Sequence, residues 1–241
     1  MNLPERLGIF DTETTGVDPQ QARIVTAHVG VIDREGAVLE GGRSWLVNPG
    51  VDIPDAATEV HGITTAHAAT EGAAPATAVQ QIVGALLALV REGCPIVIYN
   101  APYDLTLLDR EARRHLDIGL PDDLLAAHII DPLVLDKAAD TYRKGSRKLA
   151  DTAAHYRVNA DDAHNAKADA IMAGRVALAV LALPGKWPAD TTIEKIHAWS
   201  IAWKARQQQG LRDYFARTGK PFDDVRDDWP MIPYSEEAPR A

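Results

Sequence analysis

Cysteine is nearly absent from this chain. The one thiol, Cys94, excludes an intramolecular disulfide framework and any zinc site built from several thiolates. Long apolar runs are missing too. The longest, Ile82 to Val90, is interrupted by Gly84 and falls far short of a ~20-residue bilayer span, so no membrane partner is expected. Met1 to Phe10 carries Glu5 and Arg6 and no apolar core of a secretion signal. A reducing cytoplasm is therefore the expected compartment. Internal repeats and low-complexity tracts are absent. Positive charge is in deficit: 25 Lys and Arg stand against 34 Asp and Glu, a net charge of −9. A purely electrostatic binder of nucleic acid would be basic. Either nucleic acid is not the partner, or the acids gather where metal ions neutralise them.

What is present is ordinary for a globular protein: 46% apolar and 24% charged residues. With 241 residues, one full domain plus an appendage fits, or two small domains. Leu7 to Phe10, Ile24 to Ile32 and Ser44 to Val47 read as strands joined by turns, an antiparallel meander. Apolar spacing predicts a helix over Thr77 to Arg91, and Ile96 to Tyr99 reads as a buried strand. Asn100-Ala101-Pro102 opens the next helix, with Asn100 as N-cap. Ile129-Ile130 ends another apolar run. Helices follow near Lys148 to Tyr156 and Ala166 to Leu183. The class is α/β, a mixed sheet flanked by helices. Pro184-Gly185-Lys186-Trp187-Pro188 marks a boundary, dividing residues 1–185 from a helical extension over 186–241. Residues 223–241, acidic and proline-bearing, read as poorly ordered.

The acids are not scattered. Asp11 and Glu13 lie at a strand end with i, i+2 spacing, which puts them on one face. Asp104 falls in a helix first turn. Asp169 lies one turn into a helix that Asn165 caps, with His164 just before it. Each alone has a bland reading as turn or helix-dipole chemistry. Together, four carboxylates at strand ends and helix starts gather at one edge of an α/β sheet. Packed without cations they repel, and their pKa values rise. Oxygen-only ligands suit Mg²⁺ or Mn²⁺. Two such ions are a known arrangement for phosphodiester cleavage, and a histidine such as His164 suits proton removal near neutral pH.

Phe10-Asp11-Thr12-Glu13-Thr14-Thr15-Gly16, Asn100-Ala101-Pro102-Tyr103-Asp104 and His164-x4-Asp169 resemble the three motifs of the DEDDh 3′-to-5′ exonucleases. That family includes the proofreading subunit of bacterial replicative polymerases and several RNA-trimming enzymes. The resemblance spans about residues 5 to 183. It implies a ribonuclease H-like sheet of three antiparallel strands followed by two parallel ones. It implies Asp11, Glu13, Asp104 and Asp169 as ligands of two Mg²⁺ or Mn²⁺ ions and His164 as general base. The sister class has tyrosine where this chain has Asn165. Backbone amides near Thr14 and Gly16, with Asn100, are expected around the scissile nucleotide. Val60-His61-Gly62-Ile63-Thr64 resembles the segment against the terminal nucleotides, which puts His61 and Ile63 on the last sugar and base. One departure is Tyr99, where many relatives have histidine. The implied activity is release of nucleoside 5′-monophosphates from a 3′ end, DNA in a proofreading or repair setting. RNA trimming of the ribonuclease T or oligoribonuclease kind is the alternative, and a non-catalytic adaptor the rival from another class.

Two further features could touch a strand. Tyr142 to Lys148 holds Arg143, Lys144, Arg147 and Lys148 and no acid, either a solvated loop or a phosphate contact. Lys195 to Lys220 interleaves six cations with Trp199, Trp203, Tyr214 and Phe215. That composition fits a single-strand platform or an amphipathic helix packed on the domain. Within it, Gln208-x-x-Leu211-x-x-Tyr214-Phe215 resembles sliding-clamp-binding peptides, which implies a polymerase or sliding clamp as partner.

Overall fold

The computed structural model describes residues 4–159, 165–223 and 225–235. Five strands form one sheet in the order β3-β2-β1-β4-β5. They are β1 (Arg6–Thr14), β2 (Ile24–Asp33), β3 (Arg43–Leu46), β4 (Ile96–Val97) and β5 (Ile129–Ile130). β1, β2 and β3 pair antiparallel, while β4 and β5 join β1 in parallel. The expected three-plus-two sheet is present. The two parallel strands are shorter than their apolar runs suggest, although Ile98 N–H still donates to the Ile130 carbonyl at 3.0 Å.

Alternation along β1 assigns its faces. Leu7 and Ile9 pack beneath α8 (Ala166–Leu181), whereas Phe10 joins the opposite core under α3 (Pro75–Arg91) and α4 (Ala101–Leu116). Asp11 and Glu13 continue the α8 face, and Thr12 and Thr14 the α4 face. Ala166, Ala170, Ala173 and Ala177 are buried along α8, a small-residue face that lets it lie close on the sheet. Gly174 fixes that distance. A Cβ there would stand 2.6 Å from Ile32 Cδ1 and 2.8 Å from Ile9 Cγ2.

Two short helices precede α3: α1 (Asp55–His61) and α2 (Thr65–Glu71). The remaining helices are α5 (Asp122–Leu125), α6 (Pro132–Ala139), α7 (Leu149–His155) and α9 (Ile193–Thr218). α9 buries Ile193, Ile196 and Ser200, and Trp187, Trp199 and Trp203 pack against the α8-side core. Among the described residues, no helix is long and apolar enough to cross a membrane.

The described part of the acidic tail corrects one expectation, while residues 224 and 236–241 lie outside the described residues. Residues 225–235 do not dangle. Trp229 is buried and its indole N–H donates to Asp131 Oδ2 at 3.3 Å. Ile232 N–H donates to Thr106 Oγ1 at 2.9 Å, and Arg110 Nη2 donates to the Ile232 and Pro233 carbonyls at 3.1 Å. Acidic, proline-bearing composition suggested disorder, but one tryptophan and two α4 side chains, Thr106 and Arg110, that bond the segment's backbone hold it down.

Candidate active site

Asp11, Glu13 and Asp169 converge where β1 runs past the N-terminal end of α8. Their carboxylate oxygens include one from each residue that all lie within 4.8 Å of one another. The local sequence explains the convergence. Glu13 follows Asp11 on the same strand face. Asn165 accepts a hydrogen bond from Ala168 N–H at 2.9 Å, which starts α8 and sets Asp169 in its first turn.

Asp104 arrives from the other face of β1. It is buried, and Thr12 Oγ1 donates to its Oδ1 at 2.6 Å. It stands outside the trio yet close enough to repel Asp11. Here the structure differs from the expected cap. Asn100 sits in the left-handed region at φ 61° and its side chain caps nothing. Asp131 does the work instead: its Oδ1 accepts from Asn100 N–H at 3.0 Å and its Oδ2 from Ala101 N–H at 3.1 Å. Spacing alone could not identify Asp131, because its partners lie thirty residues away in the chain.

Electrostatics follow from this crowding. Burial, then Asp104, Asp169 and Glu13, push the Asp11 carboxyl well above its usual range. Glu13 rises to about 7, through burial and Asp169. Burial also raises Asp104, against the hydrogen bond from Thr12. Among the described residues, no lysine or arginine pairs with Asp11, Glu13 or Asp104. An oxygen-only cluster that repels itself fits a hard divalent cation.

The other candidates divide. His164 lies outside the described residues. Thr14 Oγ1 shares a 2.6 Å hydrogen bond with Tyr103 Oη, and Tyr103 also donates to the Gly16 carbonyl. The amide next to Thr14 is already used, since Thr15 N–H donates to the Arg23 carbonyl at 3.0 Å. His61 ends α1, whose C-cap Gly62 adopts φ 76°. His61 Nδ1 accepts from Ile63 N–H at 3.1 Å, and its Nε2 is buried with no hydrogen-bond partner among the described residues. Burial lowers its pKa, and the Thr14 backbone opposes that shift, which places His61 beside the β1 end. Ile63 packs on a small satellite core of Val25, Ile53 and Ala68.

The basic loop is corrected in part. Arg143 Nη2 lies 2.8 Å from Asp136 Oδ2, and Arg147 pairs with the same buried carboxylate. Arg147 also donates to the Asp140 carbonyl at 2.6 Å. These two guanidinium groups hold the loop together. Only Lys144 and Lys148 face solvent freely. The residues that sequence reasoning missed, Asp131 and Asp136, are both buried in α6 or at its start.

The five-stranded sheet and the acidic edge fit the DEDDh-type exonucleases of the ribonuclease H-like class, with His164 outside the described residues. The RNase_T family, described as exonuclease, matches residues 9–177, and the chain belongs to that family. A DNA polymerase III subunit epsilon-like protein of Rhodobacter capsulatus is 42% identical over 104 residues, 43% of this chain and 14% of that protein. The DNA polymerase III subunit epsilon of Rickettsia conorii is 32% identical over 133 residues, 54% of each chain. This chain thus spans about half or less of those relatives. Among solved structures, Escherichia coli Exonuclease I in complex with a dT13 oligonucleotide shares the fold. Its TM-score is 0.59 at 19% identity, over 74% of this chain and 41% of that one.

Proposed function

We propose that the chain is a divalent-metal-dependent 3′-to-5′ exonuclease acting on single-stranded DNA ends, in a proofreading or repair setting. The convergence of Asp11, Glu13 and Asp169 oxygens within 4.8 Å carries this reading. With Asp104 they would hold two Mg²⁺ or Mn²⁺ ions. Such ions, when bound, supply a nucleophile at neutral pH and stabilise the leaving oxygen.

The chain's own residues do the rest. Thr14, Gly16 and Asn100 border the place of the last phosphate. His61 and Ile63 line the side of the last sugar and base, and Lys144 and Lys148 are free for phosphates further along the strand. His164 takes the proton of the attacking water. The water oxygen joins phosphorus, and the bond from phosphorus to the preceding 3′ oxygen breaks. That oxygen leaves with a proton, and the terminal nucleotide departs as its 5′-monophosphate. The catalytic unit is assigned to residues 1–185, with 186–241 as an arm. The similarity to epsilon subunits, and the crystal complex of Exonuclease I with dT13, support a DNA substrate and a polymerase partner.

Digestion of 3′-labelled single-stranded DNA and RNA, with Mg²⁺ or with chelator, tests this. The expected result is release of labelled mononucleotide with Mg²⁺ and none with chelator, faster on DNA. Full activity in chelator overturns the metal reading, and a preference for RNA overturns the substrate.

A further inference from the structure

We propose that the cleft between α6 and α9 is a docking site for a nucleotide unit of the single strand, upstream of the end being cleaved. This rests on the nuclease reading above. The cleft measures about 430 Å³ and is lined in part by Lys137, Arg147, Trp203, Arg206, Leu211 and Tyr214. That is the size of a small-ligand site. Two sequence features without a role in the acidic cluster meet here. Arg147 comes from the basic loop, and Trp203, Arg206 and Tyr214 come from the aromatic and cationic arm.

Chemistry selects the ligand. Three lining residues are cationic and none is acidic; Arg147 is already paired with Asp136, which leaves Lys137 and Arg206 for a ligand. Arg206 is exposed and makes no ion pair among the described residues. Tyr214 is 47% exposed, with the Phe215 ring and Lys220 Nζ each 5.9 Å from its ring centroid. Lys137 is pushed below its usual pKa by burial and then by Lys204, with Arg147 adding to the repulsion and Asp131 and Asp136 opposing it. Crowded cations beside an open aromatic face suit a phosphate with its base. Carboxylate-bearing or purely apolar ligands use only half of this lining.

Arg147 also ties the cleft to the acidic edge. Its carbonyl accepts from Tyr99 Oη at 2.7 Å, and Tyr99 leads directly through Asn100 into α4 and Asp104. A strand whose 3′ end lies at the carboxylates can therefore continue past the basic loop toward α9. The clamp-like peptide is spent differently. Gln208 Nε2 donates to the Arg226 carbonyl at 2.7 Å, and Leu211 and Tyr214 line the cleft.

Fluorescence anisotropy in chelator, where nothing is cleaved, reads binding of a twelve-nucleotide and a three-nucleotide oligothymidylate. Arg206→Glu and Tyr214→Ala should each weaken the long oligomer about tenfold and leave the short one unchanged. Arg206→Glu should also flatten the salt dependence, by a slope of about 0.7 per lost phosphate contact. Tyr214→Phe keeps the ring and should restore binding, which separates stacking from a folding defect; equal melting temperatures check the same point. Unchanged affinity for the long oligomer overturns the proposal. So does equal weakening of the short one, or thymidine 5′-monophosphate binding as tightly as the strand. Intact strand binding with lost stimulation by a sliding clamp overturns it in favour of a protein partner. Hydrolysis of the three-nucleotide oligomer by the wild-type chain with Mg²⁺ reads the nuclease function separately. If that fails, the binding comparison still decides the cleft.

Discussion

Asp11, Glu13 and Asp104 on one side, and Asp109, Glu111 and Asp136 on the other, are buried or half-buried carboxylates in opposite surroundings. The second group is answered by arginine. Asp109 Oδ2 meets Arg110 Nη1 at 2.5 Å and Arg113 Nε at 2.8 Å, and Glu111 Oε1 meets Arg114 Nη1 at 2.9 Å. Burial alone would raise the Asp136 pKa, but hydrogen bonds from Arg143, Tyr156 and Arg147 outweigh it and hold it below its usual value. The first group has carboxylates for neighbours, and its pKa values rise. Both groups include residues of α4, Asp104 in one and Asp109 and Glu111 in the other. Acid content therefore says little about a site. The partner of each acid says whether it builds the fold or waits for a cation.

The sharpest way to break this comparison is Asp104→Asn. Loss of several kcal/mol of charge stabilisation should cut turnover by about 10³-fold or more. The metal-free melting temperature should hold or rise, because one repelling charge is gone. A folded variant with near-normal turnover would remove Asp104 from the site. Asp136→Ala should do the reverse. It leaves Arg143 and Arg147 without their buried partner, at a cost of about 3–5 kcal/mol. Denaturant unfolding would show that loss, and a shift under 1 kcal/mol would mean the pair acts as a surface bridge.

The sign of pH dependence separates the groups next. Glu13 titrates near 7 in the folded chain against an ordinary 4.5, so the folded state holds a proton that the unfolded state has lost. That contribution is present below pH 4.5 and is lost as pH rises through 7. Metal-free protein should melt a few degrees lower at pH 8 than at pH 6, and Glu13→Gln should flatten the difference. Asp136, held below its usual value, stabilises above the ordinary carboxylate range and loses that contribution only as pH falls through its folded pKa. The smallest effect is at the strap, residues 225–235 held against α4. Trp229→Phe removes the indole donor to Asp131 and should cost about 1 kcal/mol in thermal unfolding. No change would mean that the strap is held by apolar packing alone.

Much of this was legible in the chain. Short-range spacing carried the meander, the i, i+2 pair on β1 and the Asn165 cap of α8, because these depend on local geometry. β4 came out shorter than its apolar run, since the buried Ile98 continues that run into the approach to α4. Asp131, Asp136 and the strap were not legible. Their partners are distant in sequence, and no periodicity reports which arginine reaches which carboxylate. The basic loop shows the cost: four cations in seven residues read as a solvated loop or a phosphate contact, and folding turns two of them toward Asp136.

The claim that the acidic edge awaits a divalent cation is tested most directly by melting the wild-type chain and its Asp11→Asn variant across a Mn²⁺ titration. A ligand that binds only the folded state adds about 2.7 kcal/mol at a hundredfold excess over its dissociation constant, or roughly 5–10 °C here. The expected result is that rise in the wild type and its loss in the variant. No rise in the wild type, or an equal rise in both proteins, would contradict it.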